Sequence, residues 1–187
     1  MNWTQLPNII TSIRLILLIP LSYYLSAENY WMAIIIFFIA GFSDALDGFL
    51  AKRFNWVSRF GSILDPIADK ALLVVTMAIL TVNEKISLVL FLCVAIRDIY
   101  IIGGAYFYYK TIGPFNMQPS FVSKFNTFAQ ILMVTVMLIS LGYMQIPAEI
   151  IDGLVVLVYL TVAVSTVHYT YVWGGKYINA RRAKAEK

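Results

Sequence analysis

The chain has little of what disulfide-stabilised, zinc-binding or soluble proteins are built from. It contains one cysteine and one histidine, which excludes an intrachain disulfide and disfavours a thiolate or imidazole metal site. Charged residues make up 13% of the 187 positions, about half of the roughly 25% that is usual in soluble domains. Apolar residues reach 60%, and the mean hydropathy is +0.78. This composition indicates an integral membrane protein, in which Cys93 is interpreted as a small core residue.

Six apolar segments are each long enough to cross a bilayer as a helix, which takes about 20 residues. The segments are Leu6–Leu25, Tyr30–Leu50, Phe60–Thr81, Ile86–Tyr109, Phe121–Tyr143 and Glu149–Trp173. No linker or change of composition separates them into two groups. We therefore predict an all-α integral membrane fold of six transmembrane helices, in a single domain covering residues 1–187.

The basic residues predict how these helices are oriented. They concentrate after the second, fourth and sixth segments, whereas the other three connections are mostly acidic. Lysine and arginine favour the cytosolic side of a membrane, so both termini are predicted to be cytosolic. The net charge of +4 suits contact with anionic lipid, and no nucleic-acid partner is expected.

Four of the ten acidic residues lie within 26 positions of this apolar chain: Asp44, Asp47, Asp65 and Asp69. Ionisable groups in membrane segments are unfavourable and usually serve a function. The first two are three positions apart and the last two are four apart, so each pair shares one face of a helix. Antiparallel neighbouring helices joined by a short loop bring two such faces together, here on the cytosolic side.

Four carboxylates in an apolar pocket repel one another unless a cation joins them. Hard divalent ions with oxygen ligands, Mg2+ or Mn2+, meet that need, and two such ions can hold a phosphoryl centre from both sides. A set of buried ion pairs is disfavoured because the acids outnumber the cations nearby. The relay of a cation or proton transporter stays open on spacing alone.

The acids belong to a longer pattern: Asp44-x-x-Asp47-Gly48-x-x-Ala51-Lys52, eight residues, then Gly61-x-x-x-Asp65-x-x-x-Asp69. This pattern resembles the signature of the CDP-alcohol phosphatidyltransferases, which are six-helix membrane enzymes of about this size. Lys52 stands where that family usually has arginine, which keeps the charge but loses the two-pronged hydrogen-bonding geometry. The two glycines either leave room for a diphosphate or let helices approach closely.

The resemblance implies that CDP-diacylglycerol binds with its diphosphate at two divalent ions held by the four aspartates. Asp69 also resembles the general base that takes the proton of the acceptor hydroxyl. The residues that the resemblance implies in binding CDP-diacylglycerol are Asn8, Thr11, Arg14, Gly48, Lys52, Ser58 and Gly61. Small membrane enzymes similar to this chain are commonly homodimers, and we expect a homodimer here.

Other segments bear on the acceptor. The opening Pro7-Asn8-x-x-Thr11-x-x-Arg14 resembles both phosphatidylglycerophosphate synthases and CMP-forming cardiolipin synthases. Arg97-Asp98 and the segments that begin at Ser123 and Ser165 resemble the cardiolipin synthase branch. We therefore predict phosphatidylglycerol as the acceptor, giving cardiolipin and CMP, with glycerol 3-phosphate as the alternative. The predicted acceptor-binding residues are Lys70, Arg97, Asp98, Lys124 and Asn126; an internal Arg97–Asp98 ion pair is the competing interpretation of those two.

Overall fold

A computed structural model describes the backbone of residues 6–54, 61–112 and 120–185, and the side chains of residues 11–43, 68–111, 120–173 and 175. Within these backbone ranges the chain forms six helices and no strand. The helices are α1 (Leu6–Ser26), α2 (Tyr30–Phe54), α3 (Gly61–Val82), α4 (Leu88–Ile112), α5 (Phe121–Gly142) and α6 (Ala148–Ala185). The prediction of an all-α fold is confirmed.

Each apolar segment of the sequence coincides with one helix, and most helix ends fall within one turn of the predicted position. The exception is α6, which continues past Trp173 to Ala185. Its extension is rich in alanine, arginine and lysine, which are strong helix formers without being apolar. The hydropathy of a segment predicts where a helix crosses an apolar layer, and a helix can continue beyond that point.

Three helical stretches in the described part of the chain are long and apolar enough to cross a membrane: Leu88–Thr111, Phe121–Gly142 and Ala148–Trp173. Two shorter apolar helical stretches, Thr11–Ser26 and Tyr30–Ser43, are also present. The three long stretches indicate a membrane protein. The count of six spans and the cytosolic location of the termini go further than this and stay predictions.

The chain divides into two compact units. The first combines Met1–Ser87 with Val134–Pro147, and in it α1 packs on α2 and α3, which also contact each other. Leu21, Ala33 and Leu80 are fully buried in this unit. The second combines Leu88–Met133 with Ala148–Lys187; in it α4 packs against α6, with Leu90 and Val158 fully buried.

Hydrogen bonds at the turns of the first unit fix the register of its helices. The side-chain oxygen of Asn29 accepts a hydrogen bond from the backbone N–H of Met32 at 3.3 Å, which caps the start of α2. The Nδ2 of Asn83 donates to the carbonyl of Leu25 at 2.8 Å, which ties the end of α3 to the end of α1. Counted back from those two ends, Arg14 and Asp69 lie at nearly the same level, 12 positions before Ser26 and 13 before Val82.

Candidate active site

One candidate site, in the first unit, contains an ion pair between α1 and α3. The Nη1 of Arg14 lies 2.5 Å from Oδ1 of Asp69. The Arg14 side chain is completely buried, whereas that of Asp69 is 47% exposed. Thr11, one turn before Arg14 on α1, is also buried. The structure thus brings together two residues implied in donor binding and the residue implied as the base, and it fixes the position of the Asp69 carboxylate.

The other three aspartates are described by their backbone. Asp44 and Asp47 lie in α2, and Asp65 lies one turn before Asp69 in α3. These are the two helices that contact each other in the first unit. The side chains of Asp44, Asp47 and Asp65 are outside the described residues, as are Ser58 and the side-chain positions of Asn8, Gly48, Lys52 and Gly61.

The donor set suits a hard divalent cation. Among the described side chains no group of three or more histidine, cysteine or acidic residues occurs, because Asp69 is the one member of the acidic set that they include. The carboxylates of the set lie on two contacting helices, and carboxylate oxygen is the ligand that Mg2+ and similar ions prefer. Arg14 supplies a positive charge beside Asp69, which suits a site for a diphosphate.

A second candidate site is a polar cluster in the other unit, which we call the Arg97 cluster: Arg97, Asp98, Ser123, Ser165 and Tyr169. The guanidinium of Arg97 pairs with Oδ1 of Asp98 at 2.8 Å. Its Nη2 donates to Oγ of Ser123 at 2.8 Å and also to Oγ of Ser165, and its Nε donates to Ser165 at 3.1 Å. The guanidinium carbon lies 5.9 Å from the centre of the Tyr169 ring. The cluster therefore joins α4, α5 and α6 through one cation.

The role of Arg97 and Asp98 in binding the acceptor stays a prediction, whereas their contact with each other is described. The pair is an internal ion pair, since Arg97 is 4% and Asp98 7% exposed. Buried charges need such partners and hydrogen bonds. Four of the five N–H groups of Arg97 are used within the cluster, which also holds the guanidinium rigidly, as a phosphate-binding arginine requires.

The remaining predicted acceptor residues differ in their surroundings. Asn126 is fully buried, and its Oδ1 accepts a hydrogen bond from Oγ1 of Thr161 at 3.0 Å. Lys124 is exposed, and its ammonium group makes no hydrogen bond or ion pair with the described residues. Lys70 is partly exposed and belongs to the first unit. Within the predicted acceptor set, the described side-chain contact is the one between the sequence neighbours Arg97 and Asp98.

Sequence reasoning did not assign Ser123, Ser165 or Tyr169 to a site. The contacts that place them in one cluster join positions as far as 68 residues apart, and no local periodicity reports such a distance. The sequence did contain a signal that could have identified them, because these residues lie in the short segments whose sequence resembles the cardiolipin synthase branch. Small hydroxyl residues in apolar helices are natural partners for a buried guanidinium.

Taken together, helices able to cross a membrane, an acidic segment on two contacting helices and buried guanidinium groups are typical of a membrane enzyme that binds phosphate groups. The sequence profile of the CDP-alcohol phosphatidyltransferases matches residues 4–172, which is most of the chain. The chain belongs to the CDP-alcohol phosphatidyltransferase family. Enzymes of this family use a divalent metal, and the match gives no support to the transporter alternative.

Relatives of two kinds are similar to the chain. A CDP-diacylglycerol–glycerol-3-phosphate 3-phosphatidyltransferase from Aquifex aeolicus is 33% identical over 144 residues, covering 76% of the chain and 78% of that protein. The CMP-forming cardiolipin synthases of Rattus norvegicus and Homo sapiens are each 33% identical over 71% of the chain. The chain spans about half the length of these two synthases, 49% in each case. Overall identity therefore leaves the acceptor open.

Proposed function

We propose that the chain transfers the phosphatidyl group of CDP-diacylglycerol to a hydroxyl of phosphatidylglycerol, giving cardiolipin and CMP. The observation that carries this choice of acceptor is the Arg97 cluster. Its members come from the Arg97-Asp98 pair and from the segments at Ser123 and Ser165, which are the parts of the sequence that resemble cardiolipin synthases. Hydrogen bonds between these segments support reading them as one functional unit.

In the proposed reaction, the Asp69 carboxylate accepts the proton of the acceptor hydroxyl. The resulting alkoxide oxygen forms a bond to the phosphorus that carries diacylglycerol. The phosphoanhydride bond to the second phosphorus breaks, and CMP leaves with the electron pair on its phosphate oxygen. Two divalent ions held by Asp44, Asp47, Asp65 and Asp69 would neutralise the charge of the phosphoryl centre.

The residues around this centre have separate proposed roles. Arg14 positions Asp69 through the observed ion pair and, with Thr11 and Asn8, helps to hold the nucleotide. Lys52 and Ser58 contact the CDP group, and Gly48 and Gly61 leave room for its diphosphate. The Arg97 cluster receives the phosphodiester of the acceptor, with Lys70, Lys124 and Asn126 as further acceptor contacts. The active site faces the cytosol.

Phosphatidylglycerophosphate synthase is the second candidate. The Aquifex relative, which is named as a phosphatidyltransferase acting on glycerol 3-phosphate, is matched over 78% of its length. In this case the acceptor would be glycerol 3-phosphate. Both acceptors are anionic, so a buried arginine suits either one.

Incubation of the purified protein with CDP-diacylglycerol and one acceptor at a time distinguishes these candidates. We expect CMP release with phosphatidylglycerol in the presence of Mg2+ or Mn2+, and none after chelation of divalent ions. Identification of the lipid product as cardiolipin completes the test. CMP release with glycerol 3-phosphate but not with phosphatidylglycerol would contradict the proposed acceptor and favour the second candidate.

A further inference from the structure

A groove of about 530 Å³ lies between α4 and α6 in the second unit. Cys93, Ile96 and Arg97 line it from α4, and Tyr159, Ala163 and Val167 line it from α6. Its volume falls within the range of about 300–1,000 Å³ that is usual for ligand sites. It is therefore large enough to hold part of a lipid.

The shape of the groove follows from the spacing of its residues. Tyr159, Ala163 and Val167 are four positions apart and form a row along one face of α6. At 1.5 Å per residue, this row is about 12 Å long. Ala163, in the middle of the row, has the smallest side chain of the three. The side of the groove formed by α6 is therefore lowest at Ala163. The α6 wall of the groove is a row of mostly apolar side chains, beside which an extended hydrocarbon chain can lie.

Arg97 distinguishes this groove from another apolar groove of similar size. A groove of about 560 Å³ in the first unit is lined by residues such as Trp31, Ile35 and Ile139, with no charged residue among them. The α4–α6 groove includes Arg97, whose guanidinium belongs to the buried Arg97 cluster. An apolar groove that is lined in part by a residue with a buried cationic group suits a lipid with an anionic head group, whereas an uncharged groove selects no head group.

We propose that the α4–α6 groove holds an acyl chain of the acceptor phospholipid, while the phosphodiester of that lipid lies at the Arg97 cluster. This inference rests on the proposed function and deepens it: the acceptor is selected by its chain as well as by its head group. A small water-soluble acceptor gains nothing from such a groove. The groove therefore favours a diacyl acceptor over glycerol 3-phosphate.

A substitution that fills the groove tests the inference through turnover. For Ala163→Phe, we expect kcat/KM for dioleoyl phosphatidylglycerol to fall at least tenfold, while KM for CDP-diacylglycerol stays as in the wild type. With dihexanoyl phosphatidylglycerol, whose short chains need less of the groove, the decrease should be smaller than threefold. Val164→Phe is the matched control, because Val164 is the next residue of α6, is exposed and does not line the groove.

Cys93 provides a second readout that requires neither turnover nor a folded variant. It is the single cysteine of the chain and lines the groove, so its alkylation by N-ethylmaleimide reports on occupancy. We expect dioleoyl phosphatidylglycerol to slow alkylation of the wild-type protein at least fivefold. Dihexanoyl phosphatidylglycerol and dioleoyl phosphatidylcholine at the same concentration should slow it less.

The outcomes separate this inference from the proposed function. Equal protection of Cys93 by all lipids would mean that the groove holds bulk lipid, and protection by CDP-diacylglycerol alone would assign it to the donor; both overturn the inference. Normal cardiolipin formation by Ala163→Phe with dioleoyl phosphatidylglycerol would overturn it as well, leaving the proposed function intact. If wild-type protein makes no cardiolipin, the proposed function fails, whatever lipid protects Cys93.

Discussion

At the scale of single residues, Asp69 has the most demanding proposed role, because it would both bind metal and accept a proton. The structure adds a third feature, the buried guanidinium of Arg14 on Oδ1. A carboxylate with a fixed orientation loses less entropy when it meets its substrate, which is the advantage of a positioned catalytic group. The Arg14–Asp69 pair is therefore the part of the proposed mechanism that rests most directly on described geometry.

Asp69→Asn should abolish turnover while leaving some donor binding. The amide oxygen can still accept a hydrogen bond from Arg14, but the side chain cannot take a proton. General-base catalysis contributes about 10²–10⁴-fold, so kcat is expected to fall at least 100-fold. CMP release measures the loss, and a thermal shift with CDP-diacylglycerol measures the remaining binding. Asp152→Asn, on an exposed residue of α6, is the control; turnover at the wild-type rate in Asp69→Asn would exclude the base role.

Ser165 is a positioning residue in our interpretation, since it acts on the acceptor through Arg97. Ser165→Ala removes the hydrogen-bond acceptor that Nε and Nη2 of Arg97 share. A hydrogen bond to a charged group contributes about 1.5–3 kcal/mol, and 1.4 kcal/mol corresponds to tenfold in affinity. We expect KM for phosphatidylglycerol to rise about tenfold, with KM for CDP-diacylglycerol unchanged. Equal effects on both substrates would indicate a purely structural role. Ser140→Ala in the first unit serves as the control.

At the scale of helices, the end of α5 approaches the start of α2 so closely that only glycine fits. A Cβ atom on Gly142 would lie 2.7 Å from the carbonyl carbon of Tyr30 and 2.8 Å from the backbone nitrogen of Trp31. Beside this contact, the rings of Trp31 and Tyr143 stack with centroids 5.4 Å apart. The neighbours of Gly142 are backbone atoms, which cannot rotate away as a side chain can.

Gly142→Ala should therefore destabilise the protein. Overpacking typically costs about 1–3 kcal/mol, which exceeds the gain of about 0.5–1 kcal/mol that alanine brings to a helix. Thermal unfolding in detergent is expected to show a lower midpoint for Gly142→Ala. Gly153→Ala in α6 is the matched control, since nothing lies within 4 Å of the added Cβ, and it should be neutral or slightly stabilising. A midpoint for Gly142→Ala at or above that of the control would show that the two helices can move apart.

The helices were predictable because each is an apolar stretch bounded by polar turns, and hydropathy reports that pattern locally. The way the helices meet was not. The Arg14–Asp69 pair joins positions 55 residues apart, and the Arg97–Ser165 bond joins positions 68 apart. Arg14 and Arg97 were singled out through the resemblance to family sequences, but their hydroxyl and carboxylate partners depend on helix register. The register of the first unit depends in turn on turn contacts such as Asn83 with Leu25.

At the scale of the whole molecule, the orientation in the membrane is the main prediction that remains to be tested. It was predicted from the positions of lysine and arginine, and the three apolar stretches that can span a membrane do not determine it. This orientation places the end of α4, with Lys110 in its last turn, on the same side as the C-terminus, and the connection between α5 and α6 on the other side. Because α5 and the first part of α6 are each long enough to span, labels on either side of them should report opposite compartments.

The single native cysteine makes this experiment direct. In a Cys93→Ser background, new cysteines replace Lys110, Gln145 or Lys187 one at a time, and a membrane-impermeant maleimide is added to right-side-out vesicles. We expect labelling of the protein with Gln145→Cys in intact vesicles, and labelling with Lys110→Cys or Lys187→Cys only after permeabilisation. The reverse pattern would invert the orientation and place the proposed nucleotide site away from the cytosol. Labelling of Gln145→Cys and Lys187→Cys from the same side would show that α6 does not cross, because two positions on the same side of a membrane cannot be separated by a single span and α6 is the helix between them.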